Sequence, residues 1–465
     1  MTALDAARAL SSTGAPWFWL DGEAAAPGEQ RVSYLGVASE VREAAAGQEH
    51  AFLDALRSGH PRPAAPGRGF GSGWIVALGY EFGVALLGVD PEPDDAAPAF
   101  ALRADAVLAV DHASGAASIS GEPAAAGRLR ELLGSAPRAA AVAHAGAATA
   151  STAGVSTVAA STASASTATA NTAGARTAAA STAGTAAQPA WRGTDYESRV
   201  ADCREAIRRG DAYVLCLTDT AESETSAAPL ELYERLRAGA MRGGVISVPG
   251  RALVSASPER FLSVRGRTVA THPIKGTRPR GETPERDAAL AAELAADPKE
   301  RAENLMIVDL MRNDLSRVCV PGSVRVARFL AVETHPRVHQ LVSTVAGELG
   351  EGLDIFDALA ACFPGGSMTG APKRSAVEIL GGLEAGPRGL YSGCFGWIGD
   401  SGDAELAMTI RGVELRGGAP TGHPESGSGP ARALVGAGGG ITIDSDPAAE
   451  RRERDLKAAA MLANL

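Results

Sequence analysis

The 465-residue sequence lacks the long apolar segment that a membrane protein needs. No run reaches the roughly 18 consecutive apolar residues of a membrane-spanning helix, so no part of it is expected to cross a bilayer. Residues 1–17 also lack a basic stretch followed by an apolar one, which is the pattern of a secretory signal. The sequence therefore predicts a cytoplasmic protein.

An excess of positive charge is also absent. Asp and Glu number 54 against 44 Lys and Arg, which gives a formal net charge of -10. Proteins that coat nucleic acid need a basic surface, so this function is not expected. An anionic ligand would have to bind in a local basic pocket.

Paired cysteine motifs are missing as well. None of the five cysteines belongs to a CxxC motif or to another spacing typical of a metal site, and all lie in apolar surroundings. The sequence therefore predicts buried, reduced thiols at Cys203, Cys216, Cys319, Cys362 and Cys394.

Large apolar side chains almost disappear between residues 139 and 190, where Ala, Ser, Thr and Gly dominate. These residues cannot bury enough surface to offset the entropy lost on ordering, which predicts a disordered linker. The predicted organisation is an N-terminal lobe, 1–138, this linker, 139–190, and a catalytic domain, 191–465. We expect one large folded body with an interruption.

Apolar patterns predict runs of strands separated by runs of helices. Before the linker, WFWLDG, GWIVALGYEFGVALLG and AFALRADAVLAVDH are interpreted as strands and AGRLRELLG as a helix. After it, VRVARFLAVETHPRVHQLVSTVAGEL is interpreted as a strand, and ERAENLMIVDLMRNDL and PAAERRERDLKAAAML as helices. This order is typical of an α+β fold with a mainly antiparallel sheet, not of repeating βαβ units.

Two helices carry glutamates that suit a metal site. Glu450 and Glu453 are three residues apart, so both carboxylates lie on one face of the last helix. Glu303 belongs to another predicted helix, and two such helices meeting at one pocket would suit Mg²⁺. Spacing alone is more typical of exposed carboxylates that pair with neighbouring arginines.

Three further residues are candidates for chemistry. Lys275 lies in the apolar segment THPIKGT, where desolvation would lower its pKa and make a neutral amine available as a nucleophile, although most strand lysines are surface residues. Glu259, in SASPERF, is a candidate proton donor or acceptor. His339 could orient a carboxylate, shuttle a proton or be purely structural.

Two glycine-rich segments could bring backbone close to a ligand. In VGAGGGITIDSDP the glycines allow close approach, and the helix that follows from Pro447 has an N-terminus that favours anions. A plain tight hairpin is the alternative. The second segment is FPGGSMTGAPK, which leads into a helix near Pro372.

Taken in order, PERF, PIKGTRPRG, ERAENLMIVDLMRNDL, VHQLVSTV, FPGGSMTGAPK, RGLYSGCFGWIG and GAGGGITIDSDPAAERRERDLKA resemble the chorismate-utilising enzymes. The resemblance covers nearly all of residues 195–465. It implies large, mainly antiparallel sheets packed as a sandwich with flanking helices.

The resemblance also implies a site where Mg²⁺ bridges protein carboxylates to the ring carboxylate of chorismate. The matching metal ligands are Glu303 and Glu453, with Glu450 nearby. It assigns catalytic roles to Lys275 as nucleophile and Glu259 as general acid, with His339 at a further pocket position. The implied substrate contacts are Arg411, Lys457, Tyr391, Thr409, Thr277, Gly438, Gly439 and Gly440.

The PIKGT segment indicates the branch of the family. Aminodeoxychorismate synthases carry this lysine, whereas anthranilate synthases usually carry alanine in PIAGT. The resemblance therefore implies a transaminase-type enzyme that makes 4-amino-4-deoxychorismate, for p-aminobenzoate and folate or for a specialised metabolite such as an antibiotic. Anthranilate synthase component I is the alternative. Gly412 stands where relatives commonly have a threonine, so one substrate contact is missing.

Ammonia must be supplied for this reaction. A glutamine amidotransferase would need a nucleophile elbow of the type G-x-C-x-G, and the nearest segment, SGCFG at residues 392–396, belongs to a strand motif. The sequence therefore predicts a separate glutamine amidotransferase subunit that forms a heterodimer with this chain.

Overall fold

The computed structural model describes residues 1–24, 30–59, 69–134, 190–238, 240–335, 337–418 and 429–465. The segments before and after the predicted linker belong to one compact unit. The predicted linker itself, 139–190, lies outside the described residues except for Ala190.

The helices within these ranges are α1 Ala3–Ser11, α2 Glu49–Ser58, α3 Tyr80–Leu86, α4 Pro123–Gly134, α5 Tyr196–Arg209, α6 Pro229–Leu236, α7 Pro284–Ala296, α8 Pro298–Ser316, α9 Ile355–Cys362, α10 Lys373–Leu383 and α11 Pro447–Leu462. A short 3-10 turn spans Gly366–Met368. No helix among the described residues has both the length and the apolar character to cross a membrane.

The strands before residue 240 are β1 Trp17–Asp21, β2 Val32–Val37, β3 Glu40–Glu43, β4 Gly73–Leu78, β5 Ala99–Ala104, β6 Ala106–Asp111, β7 Ala117–Gly121, β8 Ala190–Trp191 and β9 Val214–Thr225. Those that follow are β10 Arg242–Val248, β11 Arg251–Ser257, β12 Arg260–Arg265, β13 Thr268–Thr271, β14 Ile274–Pro279, β15 Arg325–Thr334, β16 Val338–Glu348, β17 Gly370–Ala371, β18 Cys394–Gly399, β19 Ala404–Met408, β20 Gly412–Arg416 and β21 Ala431–Ile441.

These strands form two antiparallel sheets within the described residues. In sheet A the order is β17-β9-β21-β20-β11-β10-β1-β2-β6-β7, with β8 also on β9. In sheet B it is β14-β16-β13-β12-β19-β18-β4-β5-β3, with β15 on the other edge of β16. The predicted N-terminal lobe, 1–138, contributes strands to both sheets, since β1 pairs with β10 and β4 pairs with β18.

The two sheets pack face to face, and helices cover their outer faces. Alternation along β10 shows this, because Ile246 lies in the core between the sheets and Val245 lies under the helices that cover sheet A. In β4, Ile75 faces the core between the sheets, while Trp74 and Val76 pack with α2, α8 and α9. The predicted α+β sandwich with flanking helices is confirmed.

A buried ion pair fixes α8 and α10 relative to each other. The ammonium of Lys373, the first residue of α10, donates to Asp314 Oδ2 of α8 at 2.6 Å and to the Cys362 carbonyl of α9 at 2.8 Å. Both charged side chains are buried, so removal of either one would leave an uncompensated charge. The GAPK segment therefore holds α8 in place. The five cysteines are buried free thiols, as predicted.

Two predictions of secondary structure were wrong. Residues 80–86, expected to continue a strand, form α3, because a short buried apolar run has the same composition in a helix and in a strand. The stretch interpreted as one strand from Val324 is the hairpin β15 and β16, which turns where the His335 N–H donates to the Val338 carbonyl. Its length far exceeds that of an ordinary strand.

Candidate active site

One cavity of about 370 Å³ lies where β14 and β16 of sheet B approach β9 and β21 of sheet A, with α8 and α11 beside it. It brings together every predicted site residue except His339 and Thr409. The residues that line it include Glu259, Lys275, Thr277, Lys299, Glu300, Glu303, Gln340, Ser367, Tyr391, Arg411, Gly438, Gly439, Gly440, Glu450, Glu453 and Lys457.

A β-bulge places Lys275 in this cavity. Ile274 pairs with Val342 and Thr277 pairs with Gln340, so two residues of β14, Lys275 and Gly276, stand opposite one residue of β16. Bulges of this kind turn a side chain out of the regular alternation. Among the described residues, the Lys275 ammonium has no hydrogen bond and no ion pair.

Gly276 makes the bulge sterically acceptable. Its φ is +79°, in the left-handed region where side chains are disfavoured. A Cβ at this position would also lie 3.0 Å from the carboxylate of Glu300. The glycine after the lysine in PIKGT is therefore required by both backbone conformation and space.

Glu259 lies where the chain passes from β11 in sheet A to β12 in sheet B. Ser367 Oγ donates to Glu259 Oε1 at 2.8 Å. Burial raises the pKa of Glu259 above its ordinary value, although the Ser367 hydrogen bond and the nearby Lys275 act in the opposite direction. A carboxyl group whose pKa is raised in this way stays protonated to higher pH than an ordinary glutamate, which suits a proton donor.

Helix α8 presents two carboxylates, Glu300 and Glu303, one turn apart. Burial, followed by repulsion from Glu303, raises the pKa of Glu300. Arg278 of β14 lies 3.5 Å from Glu300, and Lys299 lies 3.8 Å from Glu303. This face of the helix therefore brings like charges together beside lysine and arginine.

Helix α11 repeats this spacing with Glu450 and Glu453. Ser445 Oγ donates to Glu450 Oε1 at 2.7 Å, and burial raises the pKa of Glu450. Desolvation in the cavity acts to raise the pKa of Glu453 as well, but an ion pair with Lys457 at 2.6 Å outweighs it and holds the pKa below its ordinary value. The predicted shared face of Glu450 and Glu453 is present.

The glycines of β21 let two elements approach the strand closely. A Cβ at Gly436 would overlap the ring of Tyr391, and one at Gly438 would overlap the Leu217 carbonyl of β9. A Cβ at Gly439 would lie 3.1 Å from Glu450 Oε2 and 3.6 Å from Glu453 Oε1. The glycines therefore belong to a long strand paired with β9, not to a tight hairpin.

Arg411 links the sheet to α11. It lies between β19 and β20 with a φ of +53°, an uncommon conformation for a residue with a side chain, and its guanidinium donates to the Lys457 carbonyl at 3.1 Å. Lys457 in turn donates to the Gly438 carbonyl at 2.8 Å. A Cβ at Gly412 would overlap the Val254 carbonyl, so this backbone has no room for threonine at that position.

The donor set fits a hard cation bound partly by its ligand. Among the described residues, no group of three His, Cys, Asp or Glu side chains is close enough to hold a metal ion by itself. Glu450 and Glu453 nevertheless place oxygens beside the same backbone at Gly439, and Glu303 lines the same cavity. Mg²⁺ commonly takes one or two carboxylates and completes its shell with substrate oxygens and water, so these residues are compatible with it.

His339 and Thr409 do not line the cavity. The His339 ring is 1% exposed and lies between Thr334 Oγ1 and Asp287 Oδ1, each at 2.9 Å. Thr409 is buried beside a void of about 10 Å³ that also contacts Tyr391 and Glu414. The contacts of His339 are those of a structural histidine.

Four charged, amide or hydroxyl side chains of the cavity were not predicted from the sequence as site residues: Lys299, Glu300, Gln340 and Ser367. Glu300 precedes Glu303 by three residues, which is the spacing that identified Glu450 and Glu453. Gln340 is adjacent to His339, and neighbouring strand residues point to opposite faces. The spacing offered a signal for Glu300, but nothing in the sequence fixed the orientation of β16.

Comparison with known proteins now identifies the family. Residues 10–463 match the sequence profile of the chorismate binding enzymes, and the chain belongs to this family. It is 45% identical over 273 residues to an aminodeoxychorismate synthase of Streptomyces pristinaespiralis, covering 58% of this chain and 36% of that protein. It is 43% identical over 290 residues to an anthranilate synthase component 1 of Streptomyces coelicolor, covering 60% of this chain and 54% of that protein.

A solved structure extends the similarity to almost the whole chain. The anthranilate synthase component I of Streptococcus pneumoniae superposes with a TM-score of 0.68 at 25% identity, covering 96% of this chain and 90% of that one. The matched region spans only about a third to a half of the length of the curated relatives. These relatives are therefore longer than this chain. Relatives of both names match at nearly equal identity, so overall similarity does not separate the two activities.

The contact between Gly436 and Tyr391 predicts a stability difference between two glycines of one strand. Gly436→Ala should lower the free energy of unfolding by about 2 kcal/mol, because the new methyl group forces the half-buried Tyr391 ring to move. Gly440→Ala is the matched control, since its Cβ would lie 3.5 Å from the nearest atom and should change stability by less than about 0.5 kcal/mol. Denaturant unfolding measures both, and equal effects would contradict this packing.

Proposed function

We propose that this chain is the large subunit of an aminodeoxychorismate synthase, which converts chorismate and ammonia to 4-amino-4-deoxychorismate. The observation that supports this best is the bulge at Lys275 and Gly276, because it directs an unpaired amine into the cavity. A nucleophilic lysine needs such a position, close to an acid and open to the substrate.

The proposed reaction consists of two substitutions. The Lys275 amine forms a bond to C2 of chorismate, the ring double bonds shift, and the C4 hydroxyl leaves as water with the proton that Glu259 donates. Ammonia then forms a bond to C4, the double bonds shift back, and the bond between Lys275 and C2 breaks. The surplus ammonia proton returns to Glu259, so the net change replaces hydroxyl by amine with release of water. Two successive displacements leave the amine on the face that the hydroxyl occupied.

Cationic side chains would orient the two carboxylates of chorismate. Arg411, Lys457 and Lys299 line the cavity, and we assign them to this role. Glu303 and Glu453, with Glu450 beside them, would hold Mg²⁺. When bound, Mg²⁺ would neutralise the ring carboxylate and stabilise negative charge that develops during loss of the hydroxyl. Tyr391 and the backbone of Gly438 to Gly440 would form the wall against the ring.

We further propose that ammonia comes from a glutamine amidotransferase partner and that the product feeds p-aminobenzoate and folate synthesis or a specialised pathway. Anthranilate synthase component I is the second candidate, and its support is the 43% identity with the Streptomyces coelicolor protein. The two functions differ in product, since anthranilate synthesis also releases pyruvate. Lys275 favours the first.

The product of the purified chain tests this assignment. Incubation with chorismate, Mg²⁺ and ammonium should give 4-amino-4-deoxychorismate, identified by chromatography and mass. Lys275→Ala should lower this rate by at least about a thousandfold, because the nucleophile is removed. Lys275→Arg is the matched control that keeps the charge, and it should be equally inactive. Anthranilate and pyruvate as products, or an active Lys275→Arg, would contradict the assignment.

The raised pKa of Glu259 predicts a pH dependence for kcat. A general acid acts when protonated, so activity should be present below the pKa of Glu259 and fall as pH rises through it, above the ordinary range of glutamate. Ser367→Ala removes a hydrogen bond that lowers this pKa, so the falling limb should move to higher pH. Steady-state kinetics across pH measure the falling limb of kcat in the wild type and in Ser367→Ala. The same midpoint in both proteins would oppose this role for Glu259.

The carboxylates on α8 and α11 predict where Mg²⁺ binds. Glu303→Gln and Glu453→Gln should each weaken Mg²⁺ binding by about tenfold or more in titration calorimetry with chorismate present, because each removes a charged oxygen ligand. Glu348→Gln is the control, since Glu348 pairs with Arg267 on the surface and does not line the cavity. Equal Mg²⁺ affinity in all three variants would exclude the proposed ligands.

A further inference from the structure

A second cavity adjoins the active-site cavity. This cavity, the entrance basin, has a volume of about 950 Å³, and the residues that line it include Asp21, Arg237, Met241, His335, Val338, Pro258 and Gln340. Pro258 and Gln340 also line the active-site cavity. Among the described residues, these two are the ones that the cavities share, so they form the wall between them.

The wall carries a buried hydrogen-bond acceptor without a partner. Gln340 is 5% exposed, and its Oε1 accepts no hydrogen bond from the described residues. A buried amide oxygen in this state is costly, and a ligand that donates a hydrogen bond would satisfy it.

A buried histidine, His335, also lines the basin. His335 is 4% exposed, and neither of its ring nitrogens makes a hydrogen bond to a described residue. Its Nε2 lies 3.6 Å from Glu333 Oε2, which is within reach of an ion pair but too long for a hydrogen bond. His335 and Gln340 thus offer polar atoms to one molecule at two points along the basin.

Three carboxylates and four arginines line the described part of the basin, so its charges are nearly balanced. Arg237 pairs with Asp21 at 2.8 Å and also with Glu23, and Arg280 pairs with Asp287 at 2.7 Å. Paired arginines bind a dianion weakly, because their donors are already used. The basin is therefore better suited to a small neutral molecule than to chorismate.

We propose that the entrance basin is the route by which ammonia reaches the active site and that Gln340 is the residue that admits it. Ammonia donates a hydrogen bond to Gln340 Oε1 and keeps its lone pair for attack on C4. Chorismate enters the active-site cavity by its own opening. The route rests on the proposed function, because a reaction without ammonia has no use for it. Gln340 is a positioning residue, since it bonds to the incoming nucleophile before reaction.

Two variants test the route by different means. Gln340→Met keeps a similar side-chain volume but removes the acceptor, and Val338→Phe fills the basin at a position that does not line the active-site cavity. Each should raise the KM for ammonium by about tenfold and leave the KM for chorismate within about twofold. Val320→Phe is the control, since Val320 is exposed on the surface and lines neither cavity.

The results of these kinetic measurements distinguish a failure of the ammonia route from a failure of the proposed function. If the wild-type chain does not consume chorismate in the presence of ammonium, the proposed function is wrong, and the ammonia route is wrong with it. If the wild type is active but both variants keep its KM for ammonium, the route alone is wrong. A raised chorismate KM in Val338→Phe would show that the basin admits chorismate instead, which also overturns it. Thermal unfolding of each variant verifies that the fold is retained, and a single well-folded variant suffices for the decision.

Discussion

Charge crowding in one small cavity is the constraint on which the site depends. Among the described residues, five carboxylates and four cationic side chains line a space of about 370 Å³. Burial and mutual repulsion raise the pKa values of Glu300 and Glu450, while Lys457 holds that of Glu453 low. Such a balance is stable only when each charge has a partner or a ligand that supplies one. A dianionic substrate together with a divalent cation would satisfy the carboxylates and the lysines at the same time.

The cavity forms where the two sheets approach each other at strands that depart from regular geometry or carry several glycines. The bulge in β14 turns Lys275 into the cavity, and Gly276 permits it. The glycines of β21 let Tyr391 and the α11 carboxylates lie against the strand itself. Lys373 holds α8 through a buried pair with Asp314, so the second pair of glutamates is also fixed. The PIKGT, GAGGG and GAPK segments thus each have a structural reason for their residues.

Much of this could be predicted from the sequence, but not the orientation of one strand. Helical spacing predicted the shared face of Glu450 and Glu453, and the resemblance predicted Lys275 and Glu259 in one site. The sequence did not reveal that Gln340, and not His339, faces the cavity, because a shift of one residue exchanges the two faces of a strand and an almost fully buried β16 shows no polar alternation. Helix α3 was missed because, apart from Glu81, its short sequence has no polar residue that would reveal a helical period. The basin depends on contacts between distant segments, which no local pattern encodes.

Mass spectrometry of the intact and the digested protein can detect a covalent bond between the Lys275 amine and the substrate. The chain is mixed with chorismate and Mg²⁺ in the absence of ammonium, quenched with acid and digested to locate any adduct. The account predicts an adduct of chorismate less one water on Lys275, which is lost when ammonium is added before the quench. Absence of this adduct from wild-type chain that forms product with ammonium, or an adduct on another residue, would contradict the account.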